Sequence, residues 1–195
     1  MKRVSLAAVL IQLLAATASI AQDVQSEAPT EITLDDGISF TLPAGWVVAN
    51  RRDTRRGDKG QLSVNLVCES ARCQKTQETC HFRMPAQRSG TQGGDAASLA
   101  ALYADPLDRY FRLRAVRNAT SKDAEFRKML GPMTIGTRDW QVVETDARHN
   151  MKSGLFAQTF IDGFEILAIC KTCETGEIRH QGAMEMMKSF RRDED

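Results

Sequence analysis

The sequence predicts an α+β fold, an antiparallel sheet with helices packed against it. Three observations carry this. Two Asp-Gly pairs, Asp36-Gly37 and Asp162-Gly163, each separate β-rich runs, and Asp-Gly between such runs is the strongest short-range hairpin signal. The middle of the chain has helix-like spacing, and the closing segment places apolar residues at helical intervals. Strands at both ends around a helical middle read as α+β.

The elements follow in order. Lys2 and Arg3 precede the apolar run "VSLAAVLIQLLAATA", and small residues Ser19 and Ala21 stand before Gln22. This is the pattern of a signal peptide over residues 1–21, cleaved after Ala21, which sends the chain to the periplasm. The apolar run is short and poorly flanked for a transmembrane helix, so no membrane span is expected after cleavage. Residues 22–30 are polar and read as a disordered lead, and 31–192 as a single α+β domain. "EITLDDGISFTLPAGWVV" holds the first hairpin; Pro43 ends its second run and Gly45 re-aims the chain into Trp46.

"NRRDTRRGDKG" sets Arg51, Arg52, Arg55, Arg56 and Lys59 against Asp53 and Asp58. It reads as a solvated hairpin loop, with a site for an anionic partner as the functional alternative. "QLSVNLVC" alternates, with Leu62, Val64, Leu66 and Cys68 on one face. Residues 69–95 read as a long polar loop, functional or stapled. Asp95 is expected to cap the next helical stretch, and Asp105-Pro106 to break it and start a second helical segment running through Leu113. Two strands joined near Gly136-Thr137, a hairpin about Asp162-Gly163 and a C-terminal helix complete the domain. On that helix Ile178, Ala183, Met184, Met187 and Phe190 share a face.

Charge narrows the function. The chain has 26 Lys+Arg against 25 Asp+Glu; without the leader, which carries two bases and no acid, the balance is 24 against 25. A near-neutral exported chain lacks the basic footprint of a nucleic-acid binder.

"ISFTLPAGW", residues 38–46, resembles the opening hairpin of the PsbP-like proteins. "FEILAIC" and "GAMEMMKSF" resemble their last strand and closing helix. With the order of elements between, the resemblance covers most of residues 31–191. It implies an α/β/α sandwich and a binding or accessory role, in a family of photosystem accessory subunits, nuclear Ran-binding relatives and exported bacterial proteins with no shared catalytic residue set. The chain departs from the exported bacterial members in lacking a lipobox cysteine and in its long cysteine-bearing loop.

The five cysteines are Cys68, Cys73, Cys80, Cys170 and Cys173. In an oxidising compartment they read as disulfides, and since five is odd at least one stays unpaired or pairs between chains. Cys170-x-x-Cys173 follows a strand, as in thiol oxidoreductases, but Thr175-Gly176 intervene before the helix, and a redox centre wants the pair at a helix N-terminus. Cys68, Cys73, Cys170 and Cys173 are the candidate zinc thiolates, at poor spacing. His180, Met184 and Met187 share a helix face suited to copper, although the stripe continues into Phe190 and reads better as core. His81 and His149 have no partner at recognisable spacing. No serine-hydrolase, zinc-protease or phosphate-loop motif is present. Asp35-Asp36 serve a turn, and Glu165 is outward and solvated by alternation. No catalytic residue, cofactor or metal is therefore nominated.

The expected pairing is local: Cys73–Cys80 and Cys170–Cys173, with Cys68 as the free thiol. The competing pattern joins the cluster near residue 70 to that near 170 and closes a longer loop. The function expected is an exported, non-enzymatic binding or accessory protein acting through a protein surface on another envelope or periplasmic protein. The alternatives are a thiol-redox or metal-handling protein using Cys170 and Cys173, and an envelope immunity protein with a dedicated cognate.

Overall fold

The computed structural model describes residues 28–34, 37–71, 73–120, 125–146, 151–173 and 180–192. The signal-peptide stretch 1–21, His149 and Ile178 lie outside them. In chain order the elements are β1 (Thr30–Thr33), β2 (Ile38–Leu42), β3 (Trp46–Asp53), β4 (Gln61–Cys68), α1 (Cys73–Thr76) and β5 (Thr79–Pro85). The helices α2 (Gly94–Ala101) and α3 (Pro106–Thr120) follow, then β6 (Glu125–Ile135), β7 (Arg138–Asp146), β8 (Ser153–Ile161), β9 (Phe164–Thr172), α4 (Gln181–Ser189) and β10 (Arg191–Arg192).

Seven antiparallel strands form one sheet in the order β3-β4-β5-β9-β8-β7-β6, and β1-β2-β10 form a small second sheet. Alternation assigns the faces, because successive side chains point to opposite sides of a strand. On one face Leu62, Val64, Leu66, Phe82, Val142, Ala157, Ile166 and Ala168 join the main core, covered by β2 and by Ala183, Met186 and Met187 of α4. On the other, Val143, Phe156 and Ile169 pack against Val116 of α3. Helices thus cover both faces of an antiparallel sheet, the α+β arrangement expected.

Residues of the three quoted segments meet in the main core. Phe190 stacks on Phe40 at 4.7 Å between ring centres, and Phe82 and Trp140 lie against the pair at 5.2 and 5.6 Å from Phe190. Such aromatic contacts are each worth about 0.5–1.5 kcal/mol beyond the area they bury. Ser189 accepts a 2.8 Å hydrogen bond from the backbone N–H of Thr41, tying the end of α4 to β2. Gly45 has φ +80°, and a Cβ there would sit 2.3 Å from Cβ of Ser70. Glycine is therefore required where the chain turns into Trp46.

The expected strands and turns are present at Asp162-Gly163 and Gly136-Thr137, and β1 pairs with β2 with Thr33 opposite Ser39, although Asp35 and Asp36 of the first expected turn lie outside the described residues. Asp105 caps α3 as expected: its Oδ1 accepts from the N–H groups of Leu107 (2.8 Å) and Asp108 (3.0 Å). The helix continues well past Leu113, to Thr120.

Four expectations are corrected. Residues 69–95 are not one loop: they contain α1 and the central strand β5, paired with β4 on one side and β9 on the other. The signal was present in "TCHFRMP", where Cys80, Phe82 and Met84 alternate with His81 and Arg83. Asp95 does not cap a helix; its two carboxylate oxygens accept the N–H groups of Asp162 and Gly163, both at 3.0 Å, clasping the β8–β9 turn. Arg51 and Arg52 lie in strand β3, not in a loop. Glu165 points away from the main core as expected but is only partly solvated. α3 lies over it: its Oε1 accepts from Nε2 of Gln158 at 2.7 Å and stands 4.0 Å from Arg112. The hydroxyl of Tyr103 donates to Oε1 of the same Gln158, and burial there pushes the phenol up to about 12. This polar relay seats the helical layer on the sheet.

Candidate functional site

The cysteines are paired otherwise than expected. Because β5 lies beside β9 with Cys80 directly opposite Cys170, these two form a disulfide that closes 90 residues of chain. Cys68 ends β4 and bonds Cys73 at the start of α1. Cys173 is left with a thiol, not Cys68. The local pairs Cys73–Cys80 and Cys170–Cys173 fail for one reason: strand alternation points Cys80 and Cys170 into the core, where both are buried. Cys73 and Cys173 lie outside those strands.

The same pairing dismantles the redox and zinc alternatives. Cys170 and Cys173 do not face each other as a dithiol, and Cys68, Cys73 and Cys170 are bonded within disulfides. Among the described residues, no three His, Cys, Asp or Glu side chains converge as a metal site. The two disulfides are compatible with an extracytoplasmic location.

His180, Met184 and Met187 belong to the core face. Met187 is buried and Met184 packs against the core. His180 precedes α4 with φ 57° and is buried, its Nε2 2.9 Å from Oγ of Ser153. Burial holds its pKa down at about 4, so the ring is neutral.

The basic segment does not converge on one anion site. Arg51 donates to the carbonyls of Thr33 and Leu34, bracing β3 against the first hairpin. Arg55 is paired with Asp53 at 2.5 Å, which holds that carboxyl well below its usual range. Arg56 and Lys59 bridge each other through their backbones at the tip of the turn. Arg52, Arg56 and Lys59 are exposed.

The feature that sequence reading missed is on α3. One face of this helix buries Val116 and Thr120. The opposite face leaves Leu107, Tyr110 and Phe111 exposed at 69, 58 and 60 %. The spacing i, i+3, i+4 puts all three on one stripe, and the Tyr110 and Phe111 rings contact edge to face at 5.5 Å. Arg114 and Arg117 continue the exposed surface. A stripe of large apolar side chains in water, with arginines beside it, is the composition of an interaction surface. The signal was in "PLDRYFRLRAV": two apolar sets at helical spacing on opposite sides of one helix, of which the sheet can cover only one.

No protein-family model matches the chain, and no curated protein matches it in sequence. Solved structures do. The solution structure of cyanobacterial PsbP (CyanoP) from Synechocystis sp. PCC 6803 is similar over 87 % of this chain and 95 % of that one, with 14 % identity and a TM-score of 0.49. A crystal structure from Bacteroides thetaiotaomicron VPI-5482 is similar over 83 % of this chain, with 11 % identity and a TM-score of 0.44, and the match spans 47 % of the Bacteroides chain.

Proposed function

We propose that this is an exported binding or accessory protein of the periplasm, without catalysis of its own, that engages another envelope protein through the outer face of α3. The mature chain begins at Gln22, and residues 31–192 act as one unit. The observation that carries this reading is the exposed stripe Leu107, Tyr110 and Phe111 beside Arg114 and Arg117. Aromatic and arginine side chains are the residues on which binding energy concentrates at protein interfaces. Among the described residues no helix is long and apolar enough to cross a membrane, so α3 itself is not a span.

The test is photo-crosslinking in the native envelope from a probe at position 107, with and without Tyr110→Ser/Phe111→Ser. One stoichiometric protein partner, lost in the double variant, supports the reading. Labelling of lipid alone, or a partner captured equally by the variant, overturns it.

A further inference from the structure

The helical layer leaves part of the sheet open. Beside the C-terminal end of α3 lies a groove of about 440 Å³ over β4, β5 and β9, with Ala119 of α3 as one wall. Its floor is built by strand register in two rows: Asn65, His81 and Ile169 lie across from one another, then Val67, Thr79 and Lys171. Arg83, two residues along β5 from His81, completes the lining.

We propose that this groove binds a small amphipathic organic acid, its carboxylate held by Arg83 and Lys171 and its apolar body against Val67, Ile169 and Ala119. Four observations support this. The volume falls in the range of small-molecule sites. The lining carries two cations and no acid. Among the described residues neither Arg83 nor Lys171 is in an ion pair. His81 stands between them in register. Arg83 Nε donates to its Nε2 at 3.3 Å, which leaves Nδ1 as the protonated nitrogen of a neutral ring that lines the groove. Burial, then Arg83 and Lys171, hold the His81 pKa down, so the ring adds a hydrogen bond without a third charge. Two cations beside the apolar side chains of Val67, Ile169 and Ala119 suit one acidic head on one apolar tail.

The probes are hexanoate, hexan-1-ol and inorganic phosphate, titrated separately into the ¹⁵N-labelled mature protein while amide shifts are followed. Hexanoate is expected to move His81, Ile169 and Lys171 saturably. Loss of the head or of the tail is expected to weaken binding by about tenfold or more, the worth of a charge-assisted contact or a few buried methylenes. Arg83→Gln/Lys171→Gln is expected to weaken hexanoate by about tenfold or more while the remaining spectrum is unchanged. Absence of saturable shifts with hexanoate at millimolar concentration overturns the proposal. So does equal binding of hexanol, which would make the groove merely apolar, or of phosphate, which would make it a plain anion patch. Tyr110→Ser/Phe111→Ser is expected to keep hexanoate binding intact, so failure of α3 docking and failure of this site are separately visible.

Discussion

His180 couples the fold to pH. Its pKa is about 4 in the folded protein, against 6.5 for the free side chain. Between those values the unfolded chain takes up a proton that the folded chain refuses. The term is therefore absent from the pH dependence above pH 6.5, and stability is lost as pH falls from 6.5 toward 4, by up to about 3 kcal/mol. Denaturant melts across this window should show a steeper loss in the native chain than in His180→Asn, a residue that tolerates the left-handed backbone found here. Equal slopes in the two proteins would remove His180 from the account. The disulfides give a second expectation. The Cys80–Cys170 bridge spans 90 residues and Cys68–Cys73 only 5, so losing the long loop should cost about 4.5 kcal/mol and losing the short one about 2. Non-reducing peptide mapping should join Cys80 to Cys170 and alkylate Cys173 alone. A peptide joining Cys73 to Cys80 would refute the strand pairing behind this.

Two contacts determine how the elements seat. α4 approaches Trp46 at Gly182, where an added Cβ would stand 2.5 Å from Cζ2 of the indole. Gly182→Ala should thus destabilise by about 1–3 kcal/mol despite its better helix propensity, because overpacking against a rigid ring outweighs the propensity gain. A gain in stability on chemical denaturation would mean the helix can shift. Asp95 makes two charge-assisted hydrogen bonds to the backbone of the β8–β9 turn. Asp95→Ala should cost about 1.5–3 kcal/mol. Amide exchange at Asp162 and Gly163 should rise with it, whereas a mere loss of helix dipole compensation would leave those amides protected. Hairpins, strand alternation and the cap at Asp105 were legible because each depends on neighbours within a few residues. The clasp by Asp95 was not legible, since its partners lie 67 and 68 residues away.

For the molecule as a unit, the layers dictate which surfaces stay wet. α2 and α3 cover the sheet over β7, β8 and β9, so the stripe at Leu107, Tyr110 and Phe111 is left facing solvent. Tyr110→Ser/Phe111→Ser should leave the denaturation midpoint within about 0.5 kcal/mol of the native chain, as surface changes do, while abolishing partner capture. A fall in stability comparable to that of a core substitution would mean the stripe packs on the protein itself. The resemblance to PsbP-like proteins drew on residues 38–46, on the last strand and on the closing helix, and the structure brings Phe40 of the first and Phe190 of the last into one aromatic cluster. That explains why a packing motif was readable while a site was not: it reports which side chains fill the core and carries no chemistry.

The sequence alone determined that strands flank a helical middle, where the chain turns at Asp162-Gly163 and Gly136-Thr137, and that its five cysteines cannot all pair within one chain. Each is a matter of local backbone preference or of composition. Only the tertiary structure decided that "TCHFRMP" is a central strand between β4 and β9. From that insertion follow the Cys80–Cys170 bridge, the burial of one side of β5 and the opening of its other side as the groove around His81 and Arg83. Strand alternation states which residues share a face; which strand lies alongside, and which helix covers that face, depends on contacts across 90 residues of chain, where pairing and burial are settled together.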